Sequence, residues 1–135
     1  MGAFGPGSFE NDDALDFAAE LEASGADALT EVLERAVGAD GVRDAGLGAA
    51  ALAAAEVVAA LAGRPSRELP DEVKLWVAGA AVAGSELAKL LALARRAVAA
   101  ATGDHAELAR LWTAARPAEV AGWRASVAEL GRRLE

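Results

Sequence analysis

The sequence of 135 residues contains no cysteine and a single histidine, His105. Without cysteine, a disulfide framework, a thiolate metal site and a cysteine nucleophile are all excluded. One histidine without a second nitrogen or sulfur ligand disfavours zinc, and none of the five serines lies in a Gly-x-Ser-x-Gly setting. We therefore expect no metal, no cofactor and no recognisable catalytic set, and we place His105 on the surface at the start of a helix.

Strand signals are nearly missing, because alternating apolar runs and Asn-Gly or Asp-Gly hairpin turns do not occur. Helical spacing and helix end signals recur along the whole chain. The sequence predicts an all-α fold, a compact bundle of six or seven short helices in one domain over residues 1–135. A glycine-rich arm, residues 1–10, precedes the first helix and packs on the bundle. The predicted helices cover about 12–24, 27–37, 45–62, 70–81, 85–102 and 118–134, and 39–44 is a predicted loop. A further short helix is predicted to begin at His105, where Asp104 and Glu107 form an acidic variant of the capping box.

The chain is acidic, with 21 acidic and 13 basic residues, and the acidity is concentrated at the start. Met1 to Glu34 holds nine acidic residues and no basic one. Nucleic acid is disfavoured as a partner, since phosphate binding needs clustered lysine and arginine. A membrane span is disfavoured too, because the longest weakly charged stretch contains Glu56 at its centre. With no basic residue before an apolar run near Met1, we expect a cytoplasmic protein.

Three carboxylates in the acidic segment fall on one face of the first predicted helix. Asp12, Asp16 and Glu20 are spaced four residues apart, with Asp13 beside them, and either Asn11 or Asp12 can cap the helix. Such like-charged neighbours destabilise a helix by about 0.2–0.5 kcal/mol per pair. Two interpretations stay open: a binding face for a cation or a basic partner, and a solvated face. A solvated face could also be matched within the chain by arginines, namely Arg95, Arg96, Arg132 and Arg133.

Glu56 is the only charged residue between Asp44 and Arg64, in an alanine-rich helix that we expect at the centre of the bundle. A buried carboxylate must be paired or hydrogen-bonded. As a functional group, Glu56 would be a general base or a ligand. As a structural group, it would accept hydrogen bonds from backbone amides or a tryptophan indole and hold the loop from Gly2 to Gly7. The sequence favours the structural role.

The six aromatic residues are predicted to be structural anchors. Large aromatic side chains on apolar helix faces pack in cores far more often than they line ligand pockets. Phe4 and Phe9 flank the glycine-rich stretch and are expected to fasten the arm to the bundle. The predicted anchors are Phe4, Phe9, Phe17, Trp76, Trp112 and Trp123.

The opening M-G-A-F-G-P-G-S-F-E-N-D-D-A-L-D-F resembles the N-terminal signature of a bacterial family, domain of unknown function 4259. The similarity continues through residues 53–65, 69–76 and the two last tryptophan-containing stretches. The resemblance implies a small, mostly helical bacterial protein and carries no activity, cofactor or partner. Phe4 and Phe17 stand where tryptophan is common in the family, so an indole donor is lacking at both positions.

Three hypotheses about function follow from the sequence. The leading one is a non-enzymatic interaction module whose acidic N-terminal surface binds a basic protein or a second copy of the chain. Its binding residues would be Asn11, Asp12, Asp13, Asp16, Glu20 and Glu56. The alternative is a metal-dependent or acid–base enzyme that uses the N-terminal carboxylates and Glu56 around a pocket under the arm. In the third, the signature serves only to fold the N-terminus onto the core.

Overall fold

The computed structural model describes residues 3–135, so Met1 and Gly2 of the predicted arm lie outside the described residues. The elements are helices, as predicted, and the described residues contain no strand beyond an isolated bridge between Ala3 and Asn11. The helices are α1 (Asp12–Ser24), α2 (Ala26–Val37), α3 (Ala39–Arg43), α4 (Ala45–Leu61), α5 (Asp71–Gly79), α6 (Gly84–Thr102), α7 (Glu107–Thr113) and α8 (Pro117–Arg133).

Helix α4 lies at the centre and contacts each of the other seven helices of residues 3–135. Its sequence is almost entirely alanine, valine, leucine and glycine, and nearly every residue from Leu47 to Ala60 is buried. Because α4 is apolar on all sides and its side chains are small, neighbouring helices pack closely around it. The one charged residue among the buried ones is Glu56.

Several helix ends follow directly from local chemistry. Asn11, rather than Asp12, caps α1, because its Oδ1 accepts the Ala14 amide at 2.8 Å. Asp44 caps α4 in the same way through the Leu47 amide at 3.1 Å. Gly25 separates α1 from α2 with a φ of 69°, a conformation that favours glycine.

Two local predictions are wrong. The predicted loop of residues 39–44 contains the short helix α3, which packs against α2, α4 and α6. The predicted capping box of Asp104 and Glu107 does not form, since α7 begins at Glu107 after Ala106 and has no side-chain cap. His105 therefore lies in the turn before α7, where it is exposed.

The arm folds back on itself before α1 begins. The Phe4 amide donates to the Glu10 carbonyl at 2.9 Å, and the Glu10 amide donates to the Gly7 carbonyl at 3.1 Å. The Glu10 side chain closes the turn by accepting the Gly7 amide at 3.0 Å. The arm is thus a hydrogen-bonded turn, and its far side lies against α8 at Gly122.

Candidate functional site: a cavity between the arm and the last helix

A cavity of about 630 Å³ lies between the arm and α8, with Glu56 of α4 in its wall. Its lining comes from residues 6–10 of the arm, residues 65–68 after α4, and one face of α8 from Gly122 to Arg133. We call this space the arm cavity. It brings together segments from the beginning, middle and end of the chain.

The Glu56 side chain is only 5% exposed, and its two oxygens have different surroundings. Oε2 accepts a hydrogen bond from the Ser8 hydroxyl at 2.8 Å. Oε1 lies 2.8 Å from Nη1 of Arg133, and the two side chains form an ion pair. Oε1 has less than 1 Å² of accessible surface, so it is closed off from the open space of the cavity.

Arg133 reaches Glu56 because it is the last residue of α8, which packs against α4. Its Nε lies 3.3 Å from Oε1 of Glu129, one helical turn earlier, and its Nη1 donates to the Arg64 carbonyl at 3.4 Å. The side chain is 16% exposed. One guanidinium is therefore surrounded by two carboxylates and a carbonyl oxygen, and both of its hydrogen bonds are long.

The lining of the arm cavity has an excess of acidic groups. Four carboxylates line it, whereas the cationic side chains are those of Arg67 and Arg133. The carboxylates belong to Glu10, Glu56, Glu68 and Glu129. Because a partly enclosed space screens charge less than open water does, this excess attracts cations and repels anions.

The arm turn depends on glycine where the Glu10 carboxylate packs against it. A Cβ atom on Gly5 would overlap that carboxylate, and one on Gly7 would come within 2.6 Å of Glu10 Oε1. Glycine at these positions therefore leaves room for the carboxylate that holds the turn. The glycines at positions 5 and 7 are thus explained by the packing of the Glu10 carboxylate against the turn.

The acidic stripe on α1 lies elsewhere. Asp12, Asp13, Asp16 and Glu20 are exposed and do not line the arm cavity. Within residues 3–135, no ion pair joins them to an arginine, and Arg95 instead donates to the Leu134 carbonyl at 2.8 Å. Glu20 accepts the Ser24 hydroxyl at 2.7 Å. The stripe and Glu56 therefore lie in different places, whereas the enzyme hypothesis requires them at one site.

The part of the chain that the structure describes contains no group of three or more histidine, aspartate or glutamate side chains placed to hold a metal ion. No helix in residues 3–135 is long and apolar enough to cross a membrane.

The aromatic residues behave differently from one another. Phe17, Trp112 and Trp123 are buried, and the two indoles stack with centroids 5.9 Å apart. Phe9 and Trp76 are half-buried against the core. Phe4 is 64% exposed, so its predicted role as an anchor is wrong: backbone hydrogen bonds hold the arm at this point, and its side chain faces solvent.

Comparison with known proteins places the sequence in a family. The profile of Domain of unknown function (DUF4259) matches residues 2–126. The chain belongs to this family. The DUF4259 match includes the arm, Ser8 and Glu56, and it ends before Glu129 and Arg133. No curated protein and no solved structure gives a significant match to the chain.

Sequence reasoning found Glu56 but missed Ser8, Glu129 and the role of Arg133 in this DUF4259 protein. A buried carboxylate needs a partner, so the sequence could indicate that Glu56 pairs with a cation. It cannot select one arginine out of eleven, because the choice depends on how α8 crosses α4. The sequence instead suggests Arg133 as a partner of the α1 stripe, which it does not contact.

Proposed function

We propose that this protein is a non-enzymatic binding module that captures a positively charged segment of a partner protein at the arm cavity. The observation that carries the proposal is the excess of acidic side chains in the lining of the arm cavity, with four carboxylates against two guanidinium groups. Because a partly enclosed space screens charge weakly, this excess favours a cationic group of a ligand that enters the cavity.

The exposed stripe on α1 supports the same choice of partner. Asp12 follows Glu10 of the cavity wall by two positions, so the stripe starts beside the arm and continues along α1. Exposed carboxylates without cationic partners create a negative potential that draws a basic segment towards the protein before contact. The sequence hypothesis of a basic partner is retained, with the arm cavity as its contact site.

Labelled peptides built from Lys-Gly-Ser or Arg-Gly-Ser repeats test the proposal, with Gln-Gly-Ser repeats as the neutral control. Fluorescence anisotropy at low and high ionic strength should show binding of the cationic peptides that weakens with salt. The proposal fails if neither cationic peptide binds more tightly than the neutral one.

A pair of double variants locates the binding. Glu68 and Glu129 are exposed acids of the cavity lining, so Glu68→Gln with Glu129→Gln should weaken peptide binding about fivefold while the protein stays folded. Glu72→Gln with Glu119→Gln removes the same charge from exposed positions outside the lining and should change affinity much less. Equal effects of the two double variants would exclude the arm cavity as the contact site.

A further inference from the structure

A second cavity, of about 300 Å³, lies between the end of α6 and helices α7 and α8. We call it the α7–α8 cavity, and its lining shares no residue with that of the arm cavity. Part of the lining is apolar and comes from Ala109, Trp123 and Val127. Trp123 is only 5% exposed and stacks on Trp112, so the core holds this surface in place. The α7–α8 cavity therefore offers a fixed apolar surface to a small ligand.

Two oppositely charged side chains, those of Asp104 and Arg124, line the same cavity. Neither takes part in an ion pair within residues 3–135, either with the other or with a third group. Asp104 does not cap α7, which begins without a side-chain cap. On α8, the positions three and four residues away from Arg124 hold only alanine and valine, so its own helix supplies no carboxylate. Both charges are therefore available to a ligand.

The side of the cavity near Asp104 is also the C-terminal end of α6. This helix of 19 residues ends at Thr102, which lines the cavity, and its last turn contains no basic residue. Carbonyl groups at a helix C-terminus carry a partial negative charge and favour a cation. The Thr102 hydroxyl donates to the Val98 carbonyl at 2.6 Å, so its oxygen can still accept a hydrogen bond. An ammonium group is thus favoured here, and a carboxylate is favoured at the Arg124 guanidinium.

We propose that the α7–α8 cavity binds a small zwitterion with an apolar group, namely an apolar α-amino acid. Its ammonium lies at Asp104, its carboxylate lies at Arg124, and its side chain packs on Trp123 and Val127. A ligand with only one charge leaves one of the two protein charges without a partner and gains less. The inference goes beyond the proposed function, since it concerns a different cavity and a different class of ligand.

Titration with leucine, followed by amide NMR spectra and tryptophan fluorescence, tests the inference. Leucine should shift the amide signals of Asp104 and Arg124 and change the emission of the stacked tryptophans. Leucine amide lacks the carboxylate and N-acetyl-leucine lacks the ammonium, so each should bind about fivefold more weakly than leucine. Glycine lacks the apolar side chain and should bind about tenfold more weakly.

Two variants assign the charges to the two ends of the ligand. Asp104→Asn should remove the preference for leucine over N-acetyl-leucine, and Arg124→Gln should remove the preference for leucine over leucine amide. Both side chains are exposed, so the variants are expected to fold, and thermal melting checks this. Asp40→Asn and Arg132→Gln remove the same charges from exposed positions outside the lining and should keep both preferences.

Three outcomes would overturn the inference. The first is the absence of any shift of the Asp104 and Arg124 amides at millimolar leucine. The second is equal binding of leucine, leucine amide and N-acetyl-leucine. The third is coupling between Asp104→Asn and Arg124→Gln in the free energy of unfolding without amino acid, which would show that the two side chains pair with each other. None of these outcomes bears on the peptides that test the arm cavity.

Discussion

At the scale of single residues, the main feature is that Glu56 and Arg133 form a largely buried ion pair. Removing two charges from water is expensive, so such a pair adds little net stability compared with apolar residues of the same size. Removing only one partner is different, because it leaves a buried charge without compensation. Glu56 could be found from the sequence as the single charge in an apolar helix, whereas its partner depends on tertiary packing.

We expect Arg133→Met to destabilise the protein by about 2–3 kcal/mol, less than for a fully buried pair because the arginine is 16% exposed. The neighbouring exposed Arg132→Met is the control and should change stability by less than about 0.5 kcal/mol. Urea unfolding measures both. Adding Glu56→Gln to Arg133→Met should recover part of the loss, and strictly additive losses would contradict the ion pair.

The hydroxyl of Ser8 is the second partner of Glu56 and ties the arm to α4. Ser8→Ala leaves Oε2 without its donor, so we expect a loss of about 1.5 kcal/mol, as for hydrogen bonds to charged groups. Ser85→Ala changes an exposed serine at the start of α6 and should be close to neutral. Thermal and urea unfolding of the two variants check this. A Ser8→Ala protein as stable as its control would mean that the arm is held by other contacts.

At the scale of elements, helix ends were predictable where a local side chain or glycine decides them, and not where tertiary burial does. Asn11, Gly25 and Asp44 act within a few residues of their own position. By contrast, α7 begins after Ala106, which is 1% exposed, and it has no side-chain cap although Asp104 offers cap chemistry nearby. The arm was predictable as an element, but its turn and its contact with α8 were not.

Two glycines of α8 provide a matched test of the contact between the arm and α8. A methyl group on Gly131 would point into open space, so Gly131→Ala should stabilise the protein by about 0.5–1 kcal/mol through helix propensity. A Cβ on Gly122 would lie 3.1 Å from Pro6 Cγ, and the arm must shift to admit it. We expect Gly122→Ala to give no such stabilisation or to destabilise the protein. Equal stabilisation by both, measured by thermal unfolding, would contradict close packing of Pro6 on α8.

At the scale of the whole molecule, the formal net charge of −8 is a property of one segment. The acidic stripe on α1 remains exposed after folding and forms no ion pair in residues 3–135, whereas two acids of the arm cavity, Glu56 and Glu129, pair with the Arg133 guanidinium. The sequence could locate the acidity and its helical spacing, because both are local. It could not show that Glu56 faces a different group of acids, since that depends on the crossing of α4 and α8.

This separation predicts different kinetic roles for the two acidic groups. Neutralising the stripe with Asp12→Asn, Asp16→Asn and Glu20→Gln should slow association of an Arg-Gly-Ser peptide at low salt and leave dissociation nearly unchanged, because the stripe acts through its long-range potential. Glu129→Gln should instead speed dissociation, because it removes a contact. Stopped-flow fluorescence separates the two rates. Removing three acids outside the segment, Glu72, Glu86 and Glu119, changes the net charge by the same amount, and equal slowing in that variant would show that total charge, rather than the position of the stripe, governs the encounter.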